Sequence, residues 1–214
     1  MLRDGYAKKL EQFVEAGGTF VTTFLSGIVN ESDLVTLGGY PGELRKLLGI
    51  WSEEIDALAP EHYNRIVMKT PLGPLQGEYK CNLLFDLIHC EGAEAIAEYG
   101  DDFYAGMPVL TVNKYGKGQA WYVATSPDEA FLDGFLPELC REQDIEPLLV
   151  GAPESVEAAA REKDGKTYLF LMNHANEKVA VDLGKKAGIN LLSGGEVSGM
   201  IELGAYDTMI IEQH

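Results

Sequence analysis

These 214 residues predict an α/β domain in three layers followed by a small antiparallel β-sandwich. Through the first 150 positions, apolar residues at helical spacing alternate with short β-branched and aromatic runs. After Pro147 the helical period stops, and short strands separated by polar turns take over. Hydrophobic residues make up 46% of the chain, enough to build a core rather than a disordered coil. The expected division is 1–150 and 151–214, with Gly151-Ala152-Pro153 as the junction.

Leu2, Tyr6, Leu10, Phe13 and Val14 recur at helical spacing, and Gly17-Gly18 ends that helix. Thr19 to Leu25 follows as a buried strand of β-branched and aromatic residues. A short helix fits Gly42 to Leu48, and Glu53-Glu54 reads as a further helix start. Asn64 to Lys69 and Tyr79 to Cys90 are strands, whereas Ala93 to Tyr99 fits a short helix or a strand. Val109–Asn113 and Gln119–Ala124 flank Lys114-Tyr115-Gly116-Lys117-Gly118 as a hairpin. Asp128 caps a helix from about Glu129 to Gln143. In the second region Val156–Glu162, Lys166–Asn173, Lys178–Leu183 and Met209–Glu212 read as strands. The chain opens on a helix, whereas a crossover helix is normally fed by a strand. At least one strand is therefore expected upstream of Met1, and its removal would leave an unpaired sheet edge.

Formal charge is −17 and unevenly spread. Met1 to Val150 holds 24 acidic and 11 basic residues, and Gly151 to His214 holds 10 and 6. Such a surface repels phosphate backbones, so nucleic acid is a poor partner. No apolar run approaches the roughly 20 residues of a membrane helix, and Met1-Leu2-Arg3-Asp4-Gly5 is not a signal peptide. Cys81, Cys90 and Cys140 form no CxxC pair and are odd in number, which points to a reducing, cytoplasmic setting. His62, His89, His174 and His214 lack metal-ligand spacing, and no cofactor is implied.

The most informative stretch lies between the first strand and the first short helix. Ser26, Asn30, Glu31 and Asp33 stand on a polar loop, and Gly38-Gly39-Tyr40-Pro41-Gly42 follows. Loops at strand carboxyl ends of α/β sheets commonly hold ligands or partners. Glu31 and Asp33 could form a carboxylate pair for acid/base work or sugar contact. Such a pair needs a cleft and one raised pKa. A solvated or capping loop, or a subunit contact, is the favoured reading. Lys114-Tyr115-Gly116-Lys117-Gly118 lacks phosphate-loop spacing and is a turn. Trp51 and Trp121 are possible sugar platforms, with Trp121 the better core residue and Trp51 the better exposed one.

The run Thr22 to Ile50 resembles the trimerisation domain of glycoside hydrolase family 42 β-galactosidases. Ala93–Tyr99 with Phe103–Pro108, and the hairpin Asn113–Thr125, resemble the same domain in the same order. Val156–Arg161 and Tyr168–His174 resemble the family's small C-terminal β domain. The resemblance implies a flavodoxin-like fold, similar to class I glutamine amidotransferases but without their chemistry. It implies a retaining enzyme that hydrolyses terminal β-D-galactosides with two glutamates about 5 Å apart on a (β/α)8 barrel. Nothing here corresponds to the barrel, so no catalytic residue is carried over. By the family's layout, roughly 400 residues lie upstream.

The implied role is assembly of a homotrimer and shaping of active-site rims. The subunit-contact or rim candidates are Ser26, Asn30, Glu31, Asp33, Tyr40 and Trp51. Two rivals remain. The first is an amidotransferase-like hydrolase using Cys90 on a strand-to-helix elbow, although a neighbouring His89 would point to the opposite face. The second is a carbohydrate-binding module gripping sugar through Trp51 or the β domain.

Overall fold

The computed structural model describes residues 1–214. The chain forms two compact units, Met1–Asp144 and Ile145–His214.

In the first unit, helix α1 (Tyr6–Glu15) buries Ala7 and Val14. Gly17, at φ 122°, lets the chain turn into strand β1 (Thr19–Thr23). A long loop leads to a 3-10 turn at Gly42–Leu44 and helix α2 (Arg45–Leu48), which ends on Gly49 in the left-handed region. Seven strands then follow without an intervening helix. They are β2 (Ile50–Ala57), β3 (Asn64–Met68), β4 (Glu78–Cys90), β5 (Glu94–Tyr99), β6 (Pro108–Tyr115), β7 (Gly118–Val123) and β8 (Thr125–Pro127). Helix α3 (Glu129–Glu142) closes the unit, and Asp128 Oδ1 accepts the Phe131 amide at 3.0 Å as its cap.

The strands form one mixed sheet in the order β1-β7-β6-β5-β3-β4-β2, with β8 beside β4. Only β1 and β7 run parallel, and the other six pairings are antiparallel. The expected alternation of helix and strand therefore stops at Gly49. The apolar runs after it are joined by turns too short for crossover helices, so the strands pair as neighbours. Glu53 and Glu54 lie in β2 rather than at a helix start, at a register shift that leaves both exposed. Ala93 to Tyr99 resolves as strand. Thr19–Thr23 is half-buried rather than buried, as suits an edge strand paired on one side only.

The sheet's core is aromatic. Tyr99 meets Tyr104 at 5.0 Å, Phe85 meets Tyr104 at 5.8 Å, and Phe131 meets Phe135 at 5.4 Å. Trp121 is 3% exposed and packs on Phe135, so it is core. Gly118 opens β7 where α1 ends. A Cβ there would stand 2.3 Å from the Val14 carbonyl oxygen, so the hairpin can approach the helix only with glycine at this point.

The second unit has no helix. Strands β9 (Val156–Lys163), β10 (Lys166–Asn173), β12 (Gly188–Asn190), β13 (Glu196–Val197) and β15 (Thr208–Gln213) form one sheet. Strands β11 (Val179–Asp182) and β14 (Met200–Leu203) form a second. Leu169, Leu171, Val181, Leu183, Leu203 and Ile211 fill its core.

Candidate assembly surface

The loop from Leu25 to Gly42 leaves the carboxyl end of β1 and is ordered by its own hydrogen bonds. Phe24 N bonds the Val123 carbonyl at 2.8 Å, and Leu25 N reaches Asp86 Oδ2 at 3.2 Å. Leu25 sits at φ 63°, a conformation that leucine rarely takes. Ser26 and Thr22 share a hydroxyl hydrogen bond at 2.5 Å. The chain then doubles back on itself. Thr36 N bonds the Ile28 carbonyl at 2.9 Å, and Val29 bridges Val35. Asn30 organises the tip, because its Oδ1 accepts the amides of Ser32 and Leu34, both at 3.0 Å. Asp33, at φ 61°, completes the turn.

This fold-back exposes apolar side chains. Leu34 is 63% exposed, Val35 66% and Leu37 95%. A hollow of about 270 Å³ lies beside them, lined by Leu2, Val29, Val35 and Leu37 with Asn30, Glu31 and Glu43. The stretch thus combines internal hydrogen bonds with an uncovered apolar tip.

At its far end the loop returns to the sheet. The Tyr40 carbonyl accepts the Ser52 amide at 2.7 Å. Burial raises the Tyr40 phenol above its usual pKa, against the lowering influence of the Ser52 hydroxyl. Arg45 clamps Glu91 through two hydrogen bonds of 2.6 and 2.5 Å and donates to the Gly38 carbonyl at 3.3 Å. The Trp51 ring stacks on His89 with centroids 4.8 Å apart, and the Arg45 guanidinium lies 5.7 Å from it. His89 in turn bonds Glu53 at 2.7 Å.

Ser26, Asn30, Glu31, Asp33 and Tyr40 thus fall on one loop, and Trp51 lies on β2 at its foot. Ser26 and Asn30 shape the backbone. Glu31 and Asp33 are exposed and make no side-chain hydrogen bond, so they form no carboxylate pair in a cleft. Leu34, Val35 and Leu37, apolar residues on a polar loop, become candidates only through their exposure here. Asp86, missed in the sequence, lies inside an apolar strand pattern that gives no hint of its partners.

Cys90 does not stand on a strand-to-helix elbow, because the chain runs from β4 into strand β5. Burial pushes its thiol pKa up, which opposes thiolate formation, and the neighbouring His89 is committed to Glu53. Cys81 is buried in the core, with its pKa raised to about 12 by desolvation. No group of three or more His, Cys, Asp or Glu side chains could hold a metal. No helix is long and apolar enough to cross a membrane.

The first unit is a mixed sheet that projects an ordered loop with an exposed apolar tip, and the second is a small antiparallel β unit. Residues 1–146 match the family model described as the beta-galactosidase trimerisation domain, and residues 155–213 match the beta-galactosidase C-terminal domain. The chain belongs to the family 42 β-galactosidases and comprises those two domains. It is 61% identical over 211 residues to beta-galactosidase BgaP of Planococcus sp. (strain L4), covering 99% of this chain and 31% of that protein's length. The β-galactosidase of Bacillus circulans sp. alkalophilus superposes with a TM-score of 0.92 at 54% identity, over 100% of this chain and 32% of that one. That of Rahnella sp. R3 gives 0.86 at 40% identity, over 99% and 31%.

Proposed function

We propose that this chain holds copies of a β-galactosidase together, as a homotrimer, through the Leu25–Gly42 loop. The observation that carries the reading is the exposed Leu34–Val35–Leu37 tip, held in an ordered turn within a domain whose family model is described by trimerisation. Covering such a tip on a second copy would remove apolar area from water. A three-fold ring needs a heterologous contact, so the tip would meet a different surface of its neighbour. Ser26 and Asn30 would set the tip's shape. Glu31, Asp33, Tyr40 and Trp51 would line its rim.

In this reading the reaction is a retaining hydrolysis of terminal β-D-galactosides. It is carried out by two carboxylates on a barrel that these two domains do not contain. The setting is cytoplasmic, which the three free cysteines support. The α1–β1–β7 corner, with its single parallel pairing, supports a flavodoxin-like or amidotransferase-like layering. Sedimentation velocity on this chain tests the assembly. Concentration-dependent trimer that is lost in Leu37→Asp supports the loop as the contact surface. Equal association in both proteins moves the interface elsewhere, and a monomer at all concentrations removes this chain as the assembling part.

A further inference from the structure

The loop's direction depends on a residue outside it. Asp86 is fully buried in the middle of β4, the most deeply buried carboxylate of the chain. Its polar partners are a hydroxyl and an amide rather than a cation. The Tyr122 hydroxyl and the Leu25 amide, the latter at 3.2 Å, both donate to Oδ2. Oδ1 is buried and accepts nothing. Removing a carboxylate from water without a cation to pair it is a net cost to folding. This residue is therefore better explained by what it orients than by what it stabilises.

What it orients is the start of the loop. Leu25 holds a left-handed backbone while its side chain is 40% exposed, so side-chain packing is a weak constraint on that conformation. The backbone bonds on either side of it are the alternative constraint. Phe24 N is taken by the sheet at Val123, and Leu25 N is taken by Asp86. The loop's other end returns to β2, the strand next to β4. The Tyr40 carbonyl accepts the Ser52 amide on β2 at 2.7 Å, beside β4 that carries Asp86. One carboxylate thus holds the entry of a loop whose exit is tied to β2 through Ser52 and to Arg45 through Gly38.

We propose that Asp86 is the positioning residue of the Leu25–Gly42 loop: its carboxylate, presented by the sheet, holds Leu25 in the left-handed turn and so fixes where the Leu34–Leu37 tip points. The consequence for association rests on the assembly reading above, but the consequence for loop order does not.

Hydrogen exchange on the full 214-residue chain, in dilute solution, tests it. In Asp86→Asn the amides of residues 25–37 exchange tenfold or more faster, while those of β5 and β6 keep their wild-type protection. Unchanged loop exchange overturns the proposal. So does an increase shared equally by the loop, β5 and β6, which is the mark of a merely structural residue. If Asp86→Asn does not fold, Tyr122→Phe removes the other donor on the same oxygen. A smaller increase confined to the loop then supports the proposal, and none overturns it. Where the wild type associates, Asp86→Asn weakens association at least tenfold, and equal association overturns the link between loop order and docking. A wild type that never associates refutes the assembly surface and leaves the exchange result standing by itself.

Discussion

Gly27 and Pro41 pack so closely that a Cβ on Gly27 would lie 2.2 Å from the Pro41 carbonyl oxygen. The two ends of the Leu25–Gly42 loop are pressed together there, backbone on backbone. Gly27 also sits at φ 72°, where an L side chain is strained. Gly27→Ala should therefore splay the base of the loop. The backbone strain alone costs about 1 kcal/mol, and the clash adds to it. The expected result is a melting temperature lowered by several degrees and loop amides that exchange faster. A variant as stable as the wild type, with loop exchange unchanged, would show that the loop does not close at this point.

Leu37 is 95% exposed, and replacing it leaves no core cavity. Leu37→Asp should alter stability by no more than about 0.5 kcal/mol. The same change places a charge at the centre of the proposed contact, so it should abolish self-association in sedimentation. Loss of folding instead would mean that Leu37 supports the loop from within.

The buried Asp86 carboxyl has its pKa raised, first by desolvation and against the lowering influence of Tyr122 and Leu25. The Tyr122 hydroxyl donates to its carboxylate and the Tyr99 hydroxyl to its backbone carbonyl. The folded state therefore binds the proton more tightly than the unfolded chain, whose value is about 3.9. The cost of burying this group is absent below that value. It grows as pH rises through the window up to the raised folded pKa, and is constant above it. Relative to Asp86→Asn, the wild type should gain stability as pH falls through that window. Subtracting the two proteins' urea midpoints at each pH isolates this term from the surface ion pairs. Those behave oppositely, since Asp101, Glu91, Glu138 and Glu212 have pKa values lowered by arginine or lysine partners. A difference that stays flat with pH would show that Asp86 does not titrate with folding.

The thiols differ in access and in acidity and should react in order. Cys140 on α3 and Cys90 on β4 are both exposed, but desolvation raises the Cys90 thiol pKa, and Cys81 is buried with its pKa near 12. Iodoacetamide at neutral pH should label Cys140 first, Cys90 slowly and Cys81 only on unfolding. Rapid, selective labelling of Cys90, read by peptide mass, would revive it as a nucleophile.

Trp51 is engaged by His89 and Arg45, so its ring is not a free sugar platform. Calorimetric titration with millimolar galactosides should give no heat that Trp51→Ala removes. Heat that disappears in that variant would establish a carbohydrate site at the foot of the loop.

Much of this protein follows from local chemistry alone. The period of Tyr6–Val14, the glycines at 17 and 18, the Asp128 cap and the Gly116-Lys117 turn each act within a few residues, so α1, α3 and the β6–β7 hairpin were legible. The loss of helical period after Pro147 marked the all-β second unit for the same reason. The order of the motifs was enough to indicate the family. Pairing over long separations was not legible. Whether β3 lies between β5 and β4, or whether β1 runs parallel to β7, depends on which apolar faces bury together, and one strand's pattern fits several neighbours. The candidate surface divides the same way. Asn30 was legible as a member of a polar loop, and its side-chain bonds to Ser32 and Leu34 span only two and four residues. That Asp86, 61 residues beyond Leu25, supplies the acceptor for that residue's amide was decided only when the sheet brought them together, because a buried hydrogen bond is a fact of three-dimensional proximity rather than of sequence spacing.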